Sequence, residues 1–224
     1  MTSASSAFPA FPRVYHWTHL ASNLLDDHAQ SHQLQHGYPD APGQMRGAHP
    51  DGTILHLRQR PRAMAAVIAE ALAMIQSQSP LLSADGLSKM GQITFNQPLH
   101  KVEAGKLGVI SAIVEALKRS IDNGSMQEDG CRVLRNIAFQ CESNLNLVQS
   151  QGAIAAVAEA LNRHMTNDAV VAEGFWALVV FCANHHGNTL VAKALVPNVA
   201  TIAAHHTSNA EIQKKAMFLG MLFA

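Results

Sequence analysis

The sequence predicts an all-α fold, a solenoid of stacked helical units, on three observations. A segment centred on Gly recurs: Asp85-Gly86, Asp129-Gly130 and Glu173-Gly174 lie 44 residues apart. Each is followed four and seven residues later by apolar side chains: Met90 and Ile93, Leu134 and Ile137, Leu178 and Phe181. A worn copy, Lys215-Ala216 with Gly220 and Phe223, comes 42 residues after the third. A second pattern, GVISAIVEALKRS from Gly108, returns 44 residues later as GAIAAVAEALNRH from Gly152. Strand-like alternation is absent from 61–224. Self-similarity at this period marks a solenoid, and apolar residues at +4 and +7 share one helical face.

Residues 1–60 read as a flexible, poorly ordered N-terminal arm and 61–224 as the repeat solenoid. The arm is rich in Pro and His, and 37–52 holds Gly, Pro and Asp, a loop composition. Phe8, Phe11, Tyr15 and Trp17 are apolar anchors on that arm; they are expected to fold back over the solenoid. Pro61 is expected to open the first helix, Arg62 to Gln76, because Pro suits a first turn.

From there shorter and longer helices alternate. The shorter ones are Gly108–Ser120, Gly152–His164 and Val196–His206. Each ends in a polar turn: Gln78-Ser79-Pro80, Asp122-Asn123-Gly124, Thr166-Asn167-Asp168 and Thr207-Ser208-Asn209. Ser and Asn there supply N-cap oxygens for the longer helices. In those longer helices the Gly column lets a neighbour approach closely, which offsets the helix cost of Gly. Asn144 and Asn188, 44 residues apart, are placed in the turns that follow. The apolar run Ala216–Ala224 lacks a polar outer face. It is expected to continue in a longer chain or to form a homodimer contact through this C-terminal end.

Composition narrows the function. Lys+Arg and Asp+Glu number 16 each, so the net charge is zero, which argues against nonspecific nucleic-acid binding. No apolar run reaches the ~18 residues that span a bilayer, so no membrane role is expected. Cys131 and Cys141 fall about 15 Å apart by helical rise, beyond disulfide reach. With Cys182 they read as reduced thiols of an intracellular protein. The cytoplasm is the expected compartment, with the nucleus second. Organelle targeting suits the N-terminus less, because Arg13 is the only Lys or Arg in the first 25 residues.

The unit resembles the armadillo repeat. The carrying residues are Gly152-Ala153-Ile154, Asn167-Asp168, the Leu-x-Asn-Ile-Ala run Leu134–Ala138, and Glu211–Ala216. A short segment near 143–150 favours this three-part unit over the two-helix HEAT repeat. The resemblance implies a right-handed superhelix of about three and a half repeats. It also implies a concave groove, lined by the third helices, that holds extended peptides. Groove proteins of the importin-α type use Trp followed four residues later by Asn. Here the first column reads Ser88, Arg132, Trp176, Phe218 and the second Gln92, Asn136, Val180, Leu222. Only Trp176 and Asn136 match, in different units, so a regular ladder for a basic peptide is absent.

These columns, with Arg135, are the predicted partner-binding residues. Their first half is polar and cationic, and their second half is apolar. Together they suit a peptide with an acidic or hydrogen-bonding anchor at one end and an apolar one at the other. The expected function is therefore a non-enzymatic protein–protein interaction scaffold. An adaptor for a chaperone or a transport receptor is the alternative within binding. A His-rich metal protein or an enzyme is the competing class. Zinc needs three or four converging ligands, whereas His164, His185-His186 and His205-His206 fall at helix ends. They read as solvated histidines at the negative end of the dipole. Cys182 and His185 are spaced for a thiol–imidazole pair, but Cys182 takes the packing place of Ala138. No phosphate loop or nucleophile elbow occurs, and no cofactor or metal is expected.

Overall fold

The computed structural model describes residues 55–224. All eleven elements are α-helices, and no strand occurs among the described residues. The helices are α1 Leu55–Ile75, α2 Pro80–Thr94, α3 Pro98–Lys106, α4 Val109–Arg119, α5 Gly124–Ala138, α6 Glu142–Ser150, α7 Ala153–Arg163, α8 Asp168–Cys182, α9 His186–Leu195, α10 Val199–Ala204 and α11 Ala210–Phe223. From α3 onward the order is short, medium, long, except that α10 is the shortest. Contacts link the long helices in sequence: α2 to α5, α5 to α8, α8 to α11. The second helices α4 and α7 pack against them and against each other.

Local chemistry sets the boundaries. The side chains of Ser79, Asn123, Asn167 and Asn209 each accept a backbone N–H at the start of a long helix, as the turn pattern predicts. Asn96, Gln140 and Asn184 follow the long helices at φ of 49°, 53° and 61°. The left-handed residue reverses the chain. Gly108 and Gly152 precede α4 and α7 at φ 79° and 76°, where a side chain would be strained. The Gly column serves close approach: a Cβ on Gly130 would fall 2.3 Å from Leu117 Cδ2, and one on Gly174 2.7 Å from Leu161 Cδ2. The core sits in these seams, with Phe175, Phe181, Ile113, Leu134 and Leu161 fully buried.

Three expectations change. The first helix begins at Leu55, so Pro61 lies inside it; Leu55, Leu57, Arg58, Gln59 and Arg60 are helix-favouring residues that extend it upstream. The helix expected over Val196–His206 shrinks to six residues. Pro197 disfavours helical backbone at Val196, which instead closes α9 at φ −126° and ψ 61°. Asn144 and Asn188 are not turn residues; each is the third residue of a helix and is buried. The expected binding segment around Phe8 to Trp17 lies outside the described residues.

Candidate partner-binding face

The two predicted columns keep their register. Ser88, Arg132, Trp176 and Phe218 are each the ninth residue of a long helix, and Gln92, Asn136, Val180 and Leu222 the thirteenth. One face of α2, α5, α8 and α11 carries them because positions four apart stack on a helix. Ser88 and Gln92 are exposed, and Arg132, Asn136, Phe218 and Leu222 are partly exposed.

The cationic half is not free, which corrects the expectation of a basic wall. Arg132 is enclosed by its own helix: its guanidinium lies 3.0 Å from Glu128 Oε1 and also contacts Asp129. Arg135 is buried, and its Nη1 lies 2.9 Å from Glu173 Oε2 on α8. A buried pair of this kind is committed, because losing either partner strands a charge. Lys89 pairs with Glu70 at 2.6 Å. What this half offers a partner is hydrogen bonding, from Ser88, Gln92 and the amide of Asn136.

Trp176 does not project. It is 5 % exposed, and the Lys215 ammonium lies 5.3 Å from its ring centroid, within cation–π range. Lys215 is itself buried and reaches Glu211 at 3.5 Å. Burial lowers its pKa below the ordinary lysine value, against the opposing pull of Glu173 and Glu211. Val180 is buried as well. The apolar end is thus carried by Phe218 and Leu222, beside exposed Met217 and Met221. Glu173 and Lys215, which sequence reasoning used only as neighbours of the Gly column, are the charged residues that organise this end. Their signal was a charge at the sixth position of helices whose surroundings are apolar.

The histidines are not solvated ornaments. His206 is buried; its Nδ1 lies 2.8 Å from Asp168 Oδ1 and its Nε2 2.8 Å from Met165 O. His164 Nε2 lies 2.6 Å from Ile121 O, 44 residues before Met165. Both tie a helix end to the turn of the preceding unit. His185 Nδ1 accepts from the Asn188 N–H at 3.1 Å, so its Nε2 is the donor to Asn146 Oδ1 at 3.0 Å. Both nitrogens are engaged, and no thiol–imidazole pair with Cys182 forms. Burial pushes the Cys182 thiol up to about 12 and raises Cys131 as well, so these thiols stay protonated. Among the described residues, no three His, Cys, Asp or Glu side chains converge as metal ligands, and no helix is long and apolar enough to cross a membrane. Comparison with known proteins finds no family model that matches the chain and no curated protein that matches it.

Proposed function

We propose that this chain is an armadillo-like α-solenoid that serves as a non-enzymatic scaffold, binding a partner protein or peptide along the face of α2, α5, α8 and α11. The observation that carries the reading is the register of that face. Four consecutive long helices present their ninth and thirteenth residues in line, polar at one end and apolar at the other. An extended peptide would receive hydrogen bonds from Ser88, Gln92 and Asn136 and set an apolar side chain against Phe218 and Leu222. The compensated arginines shift the preferred anchor from a carboxylate to the peptide's own backbone and amide groups. The armadillo assignment rests on the three-helix unit, the constant 44-residue offset and the residues quoted above.

Peptides selected from a random library on the full-length protein provide the test. Gln92→Ala and Asn136→Ala should each weaken a selected peptide about three- to tenfold, the worth of one hydrogen bond. Glu115→Ala, an exposed change on α4, should leave binding unchanged. Peptides that respond to Glu115 and ignore Gln92 and Asn136 would move the site elsewhere.

A further inference from the structure

The seam between α7 and α8 and the helices that follow differs from the seam before it at one position. His164 and Asn167 in the earlier seam stand over Gly124, which has no side chain: a Cβ there would lie 2.9 Å from Asn167 Nδ2 and 3.7 Å from His164 Nδ1. His206 and Asn209 occupy the matching places in the later seam and stand over Asp168. Its Oδ1 meets His206 at 2.8 Å, and its Oδ2 accepts from Asn209 Nδ2 at 2.8 Å. His164 therefore faces one oxygen, a carbonyl, whereas His206 faces two, a carboxylate and a carbonyl. Neither oxygen carries a hydrogen when Asp168 is ionised. A neutral imidazole has one N–H, so it satisfies one contact and turns a lone pair toward the other. Only the doubly protonated ring satisfies both.

The charged groups on the elements around this ring are Asp168 on α8, Glu159 and Arg163 on α7, and Glu211, Lys214 and Lys215 on α11. Arg163 is spent on Asp122, and Lys215 lies with Glu211 and over Trp176. The carboxyl of Asp168 is held below its ordinary value by Asn209 first and His206 second, in keeping with a carboxylate that stays ionised. His206 also holds α11 through its carbonyl, which accepts from Gln213 Nε2 at 2.9 Å. Helix α11 brings Lys215, the cover of Trp176, together with Phe218 and Leu222.

We propose that His206 and Asp168 form a proton-dependent latch on α11: it is closed while both ring nitrogens carry protons, and it loosens as the ring loses the second, lifting Lys215 off Trp176. An imidazole exchanges that proton in the neutral range, so the apolar end of the face opens on the alkaline side of neutrality. As regulation of that face, the proposal rests on the binding reading above; the latch itself is measured without a partner.

Amide hydrogen exchange of the full-length protein tests it, with rates corrected for intrinsic pH dependence. Protection of α11 should fall roughly two- to tenfold between pH 5.5 and 8.5, the worth of one hydrogen bond, while α5 stays unchanged. In a Trp17→Phe background, acrylamide should quench Trp176 more strongly at the higher pH. His206→Phe should show the open level at both pH values. Asp168→Asn should show the closed level at both, because its amide can donate to a neutral ring and still accept from Asn209. Wild-type α11 with the same protection at both pH values overturns the latch, and so does Asp168→Asn that keeps the wild-type pH response. If exchange follows the latch but peptides selected on the protein ignore Gln92, Asn136 and pH, the binding reading falls and the latch stands.

Discussion

Asn144 and Asn188 make the same two hydrogen bonds, 44 residues apart. The amide of Asn144 donates to Ile137 O at 3.0 Å and to Lys101 O at 2.8 Å. Asn188 donates to Phe181 O at 2.9 Å and to Leu145 O at 3.0 Å. Each amide thereby closes the end of the long helix before it and fastens the short helix of the preceding unit. His100 stands at the matching place one unit earlier and reaches Ile93 O at 2.7 Å. Asn144→Leu should destabilise the fold by about 1–3 kcal/mol, the cost of leaving buried acceptors unmet. Urea titration followed by far-UV circular dichroism measures it. An unchanged midpoint would show that water meets those carbonyls without the amide.

The Arg135–Glu173 pair gives a test with a sign reversal. Glu173→Gln alone should cost about 3–5 kcal/mol, because it leaves a buried guanidinium short of its counter-charge. The double variant Arg135→Met with Glu173→Gln should recover most of that loss. A double-mutant cycle on urea midpoints reads the coupling. Additive losses would mean the two charges do not depend on each other.

Gly124→Asp should stabilise the protein by about 1 kcal/mol. It removes a glycine from a helix and places a carboxylate in the first turn. The side chain it crowds, Asn167, ends in a mobile amide. A rise in thermal midpoint is the expected result, and a fall would show that the gap over Gly124 cannot take a carboxylate.

Asp168 makes a prediction at acid pH. Its folded pKa is lowered, so its contribution is fully present above the unfolded value and is lost as pH falls through the folded one. The stability difference between wild type and Asp168→Asn should therefore hold constant from pH 5 to 6 and shift below the ordinary aspartate range near ~4. Urea melts across that window measure it, and a difference that does not move below pH 4 would tell against the lowered value.

Thiol chemistry is the simplest check on the seams. Cys131, Cys141 and Cys182 are buried, and burial raises the pKa of Cys131 and Cys182. A thiol-reactive dye at pH 8 should label the native protein far more slowly than the urea-unfolded chain. Rapid labelling of Cys182 in the native state would place it outside the packed seam.

What the sequence made legible was whatever depends on neighbours along the chain. The caps Ser79, Asn123, Asn167 and Asn209 were readable because a cap bonds within three residues of itself. The Gly column and the register of Ser88 through Leu222 were readable because helical period fixes which positions share a face. The fate of Trp176 was not, because the group that covers it, Lys215, belongs to another helix. Arg135 misled for the same reason: its partner Glu173 is 38 residues away. Asn144 and Asn188 were misplaced because Asn is common in turns, and burial against Lys101 or Leu145 leaves no local trace.

The Asn clamps also set a rule for insertions. The donor at 144 and the donor at 188 find their carbonyls at the same offsets, so the back edge of one 44-residue module already matches the front edge of the next. Duplicating residues 98–141 in tandem would add a module whose seams reuse existing bonds, and the chain would lengthen without redesign. An insertion inside a helix by any other length would carry the amide past its two carbonyls. Along the described units, growth is thus quantised: the fold accepts whole modules and resists fractions of one.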